Sequence, residues 1–267
     1  MKKIITLIIV VFAPHVFAED SMSFETVKGP VKQVIVTIGL ENNNASLFYG
    51  DQPGGYMKII SWYDSIGRLT EQANYIGSQL QGGFVRQYTI NNVYMEYNYD
   101  TQGLIKGSFT QVQLDSTGLP ISTKRYKDGK LICADSAIYD TQGNKIAFYE
   151  TPFKKDTLAL RCTYEYDSIG RLYKESDCQE GIYYTIEYLS NGNYIEHHVN
   201  KDGTTWEWKH MVDKNGMLVK SESHNMRLRY SKFDKYGNWL QLKSSTNTHS
   251  PMGWVTTIIE RVIEYYE

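Results

Sequence analysis

Apolar and polar residues alternate along much of this chain with the period of two that is typical of β-strands. Between residues 160 and 166, apolar and aromatic side chains occupy the even-numbered positions. The same alternation returns over 182–188 and 255–265, with many β-branched and aromatic residues, which strands favour. Beyond the first residues of the chain, no segment has a convincing helical period. The pattern therefore predicts an all-β protein.

Short turn sequences separate the predicted strands. Asp-x-x-Gly occurs eight times, and this recurrence indicates a repeat. In such a turn the Asp side chain can accept a hydrogen bond from the backbone two residues on, and the Gly can adopt the left-handed conformation that closes a hairpin with a bulge. The copies are Asp51–Gly54, Asp64–Gly67, Asp100–Gly103, Asp115–Gly118, Asp140–Gly143, Asp167–Gly170, Asp213–Gly216 and Asp234–Gly237. Tighter, two-residue hairpins are predicted at Asp128-Gly129, Asn191-Gly192 and Asp202-Gly203.

The spacing of these turns predicts the topology. Over 115–140 and 192–216 a turn sequence recurs every 11 to 13 residues, which is typical of an antiparallel meander. One face of each predicted strand is apolar and aromatic, and the other is mixed polar. Because a long open sheet would leave the apolar face in water, such sheets tend to curl or fold over. We predict one antiparallel meander of hairpins, curled into a barrel-like or two-layer sheet.

Several segments resemble the YD repeat of Rhs-type proteins. The best match is the sequence Tyr-Glu-Tyr-Asp-Ser-Ile-Gly-Arg-Leu at 164–172, and a second is Tyr-Asn-Tyr-Asp-Thr-Gln-Gly-Leu at 97–104. Weaker copies begin at Trp62, Tyr139 and Phe233. The resemblance implies a β-hairpin architecture from about residue 28 to the end. Large members of this family wind the repeats into a shell around cargo, whereas this chain resembles a short exported member with too few repeats for a large shell and without a toxin domain.

The first residues have the pattern of a secretory signal. Lys2 and Lys3 precede an apolar run over 4–12, and a small-residue cleavage pattern ends at Ala18. The run is shorter than the roughly 20 residues that a transmembrane helix needs. We predict a signal peptide over 1–18, a single β domain over 19–267 and no membrane span after cleavage. The exported protein would lie in the periplasm, on the outer cell surface or outside the cell.

The net charge limits the partners that are expected, and the cysteine content limits the disulfides. The formal net charge is −2, with acids and bases mixed along the chain, so the basic face of a nucleic-acid-binding protein is not expected. Cys133, Cys162 and Cys178 allow one disulfide and one free thiol in an exported chain. A simple pairing places Cys162 and Cys178 on opposite faces of one predicted hairpin, and a bridge between them is left open.

Aromatic side chains are the candidates for ligand contact. Trp206 and Trp208 share one face of a predicted strand. If exposed, they would form a platform for sugar rings or for the apolar surface of a partner; if buried, they would be core. The same two alternatives apply to Tyr97 and Tyr99, which belong to the repeat and for which structural packing is the stronger interpretation.

Metal and catalytic sites are not predicted. His197 and His198 point to opposite faces of a strand, and His210 lies on a neighbouring strand, so three ligands are not expected to converge. Most Asp residues are explained as turn formers, and no nucleophile elbow, phosphate loop or dinucleotide fingerprint occurs. We therefore expect no cofactor.

The resulting hypothesis is a non-enzymatic binding or interaction scaffold of the cell envelope, with an unknown protein or glycan partner. One alternative is a carbohydrate-binding module that uses exposed Trp or Tyr side chains. A second alternative is an enzyme with an unrecognised site, such as a glycan hydrolase, because the chemistry of a pocket is invisible at this level.

Overall fold

The structure is a computed structural model that describes residues 27–40, 56–151, 157–223, 225–247 and 254–267. These residues form eighteen β-strands and no helix, so none of the described segments is a helix that is long and apolar enough to cross a membrane. The predicted signal peptide over 1–18 and the predicted turn Asp51–Gly54 lie outside the described residues. The strands are β1 (Val31–Leu40), β2 (Met57–Tyr63), β3 (Leu69–Ile76), β4 (Gln79–Tyr88), β5 (Val93–Asp100), β6 (Gly103–Leu114), β7 (Pro120–Lys127), β8 (Lys130–Tyr139), β9 (Lys145–Glu150), β10 (Ala159–Tyr166), β11 (Leu172–Asp177), β12 (Ile182–Tyr188), β13 (Tyr194–Val199), β14 (Thr205–Val212), β15 (Leu218–Ser221), β16 (Met226–Phe233), β17 (Trp239–Asn247) and β18 (Trp254–Tyr265).

The strands form one antiparallel sheet in which neighbours in sequence are neighbours in the sheet. β1 pairs with β18 on one side and with β2 on the other, so the first and last strands of the meander are also paired with each other. In this register Ile38 lies opposite Ile259 of β18 and Met57 of β2. The prediction of an all-β antiparallel meander is confirmed.

The chain forms two compact units. One, here called the terminal unit, comprises the described residues within 1–68, 74–80 and 219–267, and the other, here called the central unit, comprises those within 69–73 and 81–218. The terminal unit has an aliphatic core built on the alternation in β1. Its buried members are Val31, Val34, Val36, Ile38, Ile59, Trp239, Leu242 and Ile259. Arg261 is also buried there, with its guanidinium carbon 3.5 Å from the centroid of the Trp239 ring, where the aromatic face stabilises the cation.

The central unit relies on aromatic rings that meet across neighbouring strands. Tyr97 of β5, Phe109 of β6 and Tyr126 of β7 form a row, with ring centroids 6.1 and 4.6 Å apart. Tyr188 of β12 and Tyr194 of β13 make a similar pair at 6.0 Å. Such cross-strand pairs each contribute roughly 0.2–1 kcal/mol relative to pairs of alanine, so the many tyrosines of the repeat help to hold the strands in register.

Most Asp-x-x-Gly turns share one hydrogen-bond pattern. In Asp167–Gly170 the Asp amide donates to the carbonyl of Arg171 at 2.8 Å, and the Gly amide donates to the Asp carbonyl at 3.0 Å. Asp167 Oδ1 accepts from the amides of Ile169 and Arg171 at 3.1 and 2.9 Å. Gly170 has a φ of +82°, a conformation that favours glycine. The same bonds recur in the turns of Asp64, Asp115, Asp140, Asp213 and Asp234.

Two turns predicted to be two-residue hairpins adopt this longer form instead. At Asn191-Gly192 the glycine amide donates to the carbonyl of Leu189, and at Asp202-Gly203 it donates to the carbonyl of Asn200. Leu189 and Asn200 therefore stand where the other turns have Asp. The prediction was wrong because the backbone pattern depends on the glycine at its fourth position and tolerates other residues at the first.

Two further turns are of the tight kind. Asp128-Gly129 joins Lys127 to its partner Lys130, and both turn residues have positive φ, as the sequence predicts. At Asp100–Gly103 the Asp pairs directly with the Gly, so only two residues form the loop, and Asp100 Oδ1 accepts from the amide of Gln102 at 2.8 Å as the sequence predicts.

The tyrosine before several of these turns ties neighbouring turns together. The hydroxyl of Tyr166 donates to the carbonyl of Lys145 at 2.9 Å, and Lys145 is the second residue after the glycine of the previous Asp-x-x-Gly turn. Hydroxyls in the same place make equivalent bonds from Tyr88 to Leu69, from Tyr139 to Pro120 and from Tyr188 to Leu172. The Tyr and the Asp of the motif thus both serve the hairpin architecture.

Candidate functional site

Trp206 and Trp208 lie on β14 of the central unit and are both half-buried, between exposed neighbours. Their ring centroids are 6.0 Å apart in an edge-on arrangement. Across the β13–β14 hairpin, His198 is the partner of Trp206 and Glu196 is the partner of Trp208. The two tryptophans are therefore neither fully exposed nor core, and they border a group of ionisable side chains.

His198 is enclosed by aromatic rings. It is 8% exposed, and its ring lies between that of Tyr184 on β12, with centroids 5.1 Å apart, and that of Trp206, at 5.0 Å and an interplanar angle of 10°. The Trp208 ring approaches it at 4.3 Å with a tilt of 59°. Stacked rings on both sides fix the plane of the imidazole and direct its nitrogens along the strand.

Glu196 joins two imidazoles in the interior of this face. Its carboxylate is almost fully buried, with Oε2 3.0 Å from Nε2 of His198 and Oε1 3.4 Å from Nε2 of His210. The second contact lacks the geometry of a hydrogen bond, and Oε1 of Glu196 and both ring nitrogens of His210 have no hydrogen-bond partner among the described residues. Since buried polar atoms are normally paired, these three atoms form an unusual feature of the central unit.

Burial and neighbouring side chains shift the pKa values of Glu196 and Tyr184. Burial disfavours the charged form of Glu196, but the hydrogen bond with His198 and the electrostatic attraction of His198 and His210 outweigh it and hold the pKa of Glu196 below its ordinary value. Burial raises the pKa of Tyr184, and the nearby Glu175 raises it further, because the Tyr184 hydroxyl donates to Glu175 Oε2 at 2.7 Å. Such a carboxylate with imidazoles can bind polar ligand groups or hold a proton. Within the described residues, no three His, Cys, Asp or Glu side chains are placed to hold a metal ion.

His197 lies on the opposite face of β13, as the alternation predicts. It is partly exposed and contacts Glu207 Oε1 through Nδ1 at 2.9 Å and Glu187 Oε2 through Nε2 at 3.2 Å. These two glutamates are more than half exposed. The pair of adjacent histidines is therefore divided between a solvated face and the buried cluster.

The structure does not bring Tyr97 and Tyr99 to the tryptophans. Both lie half-buried on β5, where Tyr97 packs on Phe109. The hydroxyl of Tyr99 donates to the carbonyl of Gln72 at 3.2 Å, and a methyl group added at Gly83 would meet that hydroxyl at 2.7 Å. Their contacts are those of packed side chains.

The three cysteines are all free, so the disulfide between Cys162 and Cys178 that the sequence leaves open is not formed. Cys162 is on β10, opposite Asp177 of β11, and Cys178 is exposed in the turn that follows. Burial, and then the charges of Glu175 and Asp177, raise the pKa of the Cys162 thiol to about 11. At that pKa the thiol is a poor nucleophile near neutral pH.

A shallow cavity lies between two of the Asp-x-x-Gly turns. Its volume is about 390 Å³, and it is bordered by the turns of Asp140 and Asp167 and by Tyr164. The carboxylates of both aspartates are occupied by the backbone amides of their own turns. These two carboxylates therefore serve their own turns.

No protein-family model matches this chain, and no curated protein matches it either. Weak similarities exist among solved structures. A porin-like protein from Bacteroides uniformis has a TM-score of 0.43 at 12% identity, over 89% of this chain and 99% of the other. The TcdB2-TccC3 structure has a TM-score of 0.35 at 13% identity, over 78% and 13%, and the Tc holotoxin pore of Photorhabdus luminescens has 0.34 at 13%, over 72% and 12%. These values are too low to assign a function, and the YD-repeat relationship stays a prediction.

Proposed function

We propose that this chain is an exported, non-enzymatic scaffold of the cell envelope that binds a ligand or partner through the aromatic face of β12–β14. The observation that carries the proposal is the pairing of half-buried Trp206 and Trp208 with the buried Glu196 cluster. Large aromatic rings with accessible surface supply contact area at low cost in conformational entropy. Buried polar atoms that lack partners are unusual, and the scaffold alone does not explain them.

The remaining prominent residues of the repeat support a scaffold role. Asp side chains in the turns are held by backbone amides, and the Tyr hydroxyls are held by carbonyls of neighbouring turns. Both residue types are thereby used in the architecture. This leaves the residues that depart from the repeat, on β13 and β14, as the candidates for binding.

A glycan is the class of ligand that the composition of the site favours. Sugar rings present apolar faces that stack on tryptophan and hydroxyl groups that pair with carboxylates and imidazoles. Trp206, Glu196 and His198 place these three kinds of group on adjacent strands. A protein partner with an exposed apolar patch is the alternative occupant.

A glycan array tests this proposal with the exported form of the chain. We expect the parent protein to bind at least one glycan class and the double variant Trp206→Ala/Trp208→Ala to lose that binding. Trp254→Ala is the matched control, since Trp254 is 45% exposed on β18 of the terminal unit and should leave binding unchanged. Absence of binding by the parent protein would remove the glycan candidate, and equal loss in the Trp254 control would contradict the location of the site.

A further inference from the structure

Two neighbouring hairpins of the central unit carry exposed aliphatic pairs at the same end. Leu104 and Ile105 follow the first residue of β6, and Leu131 and Ile132 follow the first residue of β8. All four side chains are between 44% and 62% exposed. Aliphatic side chains that are exposed singly are normal on a protein surface, whereas adjacent exposed pairs are candidates for an interaction site.

Both pairs stand on strand ends that project past a neighbouring strand. The β7–β8 turn is level with Gly107 of β6, because a methyl group on Gly107 would lie 3.1 Å from Cα of Asp128, and so residues 103–106 extend beyond that turn. β9 pairs with β8 only from Asp135 onward, and so Leu131 and Ile132 precede the part of β8 that β9 covers. Leu104 and Ile105 are thus on a protruding tip, and Leu131 and Ile132 are on an edge of β8 that β9 leaves uncovered.

The arrangement of Leu104 and Ile105 distinguishes a lipid from a protein partner. Successive side chains of a strand point to opposite faces, so the β5–β6 tip carries an aliphatic group on both of its faces, whereas Ile132 stands at a bulge in β8. A second protein or a second copy of this chain would cover one face of such a hairpin and leave the other in water. The interfacial region of a bilayer surrounds an inserted tip and covers both faces.

The charge around the tips has the sign that anionic headgroups require. Four exposed lysines flank the aliphatic pairs, and none of them has an ion-pair partner in the part of the chain that the structure describes. Only two acids, Asp100 and Asp128, lie on the same hairpin ends. The lysines are Lys106, Lys124, Lys127 and Lys130. In a chain with a net charge of −2, this local excess of positive charge matches the negative potential of an anionic leaflet.

We propose that these two hairpin ends, the β5–β6 and β7–β8 tips, dock the protein on the surface of a bilayer that contains anionic lipids. The aliphatic pairs insert among the headgroups, and the lysines contact the phosphates. The chain is held at the surface and does not span the bilayer through this contact. The proposal uses none of the residues of the aromatic site, so it can fail or succeed independently of the function proposed above.

Vesicle sedimentation tests the proposal with the exported form of the chain, purified after removal of the leader. The vesicles are phosphatidylcholine alone, or phosphatidylcholine with about one quarter phosphatidylglycerol. We expect binding to the mixed vesicles that falls as salt is raised, and much weaker binding to phosphatidylcholine alone. Changing all four aliphatic residues to Ser should lower the bound fraction by about tenfold or more, since each inserted side chain contributes separately. The four positions are Leu104, Ile105, Leu131 and Ile132.

The matched control is Ile90→Ser/Ile169→Ser. These two isoleucines are 98% and 73% exposed, and they lie singly on turns at the other end of the strands in the same unit. We expect the control to bind vesicles as the parent does, and Lys106→Gln/Lys127→Gln/Lys130→Gln to lose the salt dependence. Circular dichroism of each variant checks that the sheet is intact.

Three outcomes would overturn the proposal. The first is vesicle binding by the four-Ser variant equal to that of the parent. The second is equal loss of binding in the Ile90→Ser/Ile169→Ser control, which would show general hydrophobic adsorption. The third is a parent protein that ignores vesicles but forms a dimer in sedimentation velocity, with the dimer abolished by the four Ser substitutions. That result would assign the tips to contact between copies.

Discussion

Replacing Glu196 by Gln should destabilise the protein more than its small change in size suggests. The carboxylate is almost fully buried and lies 3.0 Å from Nε2 of His198. Hydrogen bonds to charged groups contribute about 1.5–3 kcal/mol, and removing one partner of a buried ion pair costs about 3–5 kcal/mol. Because the Gln carbonyl can still accept one hydrogen bond, we expect Glu196→Gln to lower the free energy of unfolding by about 1.5–3 kcal/mol at pH 7.

The pH dependence of this loss follows from the lowered pKa of Glu196. The pKa of the folded form lies below the ordinary value of 4.5, so the ionised carboxylate contributes its full stabilisation above about pH 4.5 and loses it as the pH falls through the folded pKa. The Gln side chain does not titrate. The difference in unfolding free energy between the parent and Glu196→Gln should therefore be largest near neutral pH and narrow progressively under acid conditions.

Urea denaturation followed by circular dichroism, at a series of pH values, measures both effects. Glu187→Gln is the matched control, since its carboxylate contacts His197 at 3.2 Å but is exposed on the other face of the same hairpin. Exposed pairs of this kind contribute less than about 1 kcal/mol. A Glu196→Gln variant as stable as the control at pH 7, or a difference that stays constant down to acid pH, would refute a buried, ionised carboxylate.

Two further predictions concern the repeat and the thiols. Tyr166→Phe removes the hydroxyl that donates to the Lys145 carbonyl and should lower the free energy of unfolding by about 1 kcal/mol. Tyr183→Phe, at an exposed ring, should lower it little. Equal losses in urea denaturation would contradict the role given to the Tyr166 hydroxyl. At pH 8 iodoacetamide should modify exposed Cys178 well before Cys162, whose pKa of about 11 leaves little thiolate. Peptide mass spectrometry measures the order, and equal rates would be inconsistent with the buried position of Cys162.

Local chemistry explains why much of the fold could be predicted from the sequence. The alternation over 160–166 specifies a strand without any knowledge of its neighbours, and in most copies an Asp followed by a Gly at the fourth position specifies its own hydrogen bonds. At Asp167 both signals agree, and the structure has the turn and the strands around it. Pairing between strands that adjoin in sequence follows directly from such turns.

The cluster around Glu196 could not be predicted because it depends on register. A two-residue turn at Asp202-Gly203 would place His198 opposite Glu207, whereas the five-residue turn places it opposite Trp206. A shift of one residue moves a whole strand's side chains to the other face. With the wrong turn, the imidazole and the indole would not share a face, and no buried site would be expected. The sequence does contain a signal for the five-residue turn: Gly203 follows Asn200 by three residues, the same spacing that separates Gly from Asp in the other turns.

The free energy needed to bury the ionisable cluster around Glu196 distinguishes this cluster from the rest of the scaffold. Well-packed apolar side chains in place of a buried ionic group are often neutral or stabilising, and neighbouring positions of the same face carry such residues, including Ile186 opposite Glu196. The hairpins themselves need neither a carboxylate nor two imidazoles there, because the turns and the Tyr hydroxyls already fix the strands. Departures from local rules concentrate at functional sites, where the loss of stability is offset by activity or binding. Glu196, His198 and His210 are therefore the residues of the central unit that we propose for binding.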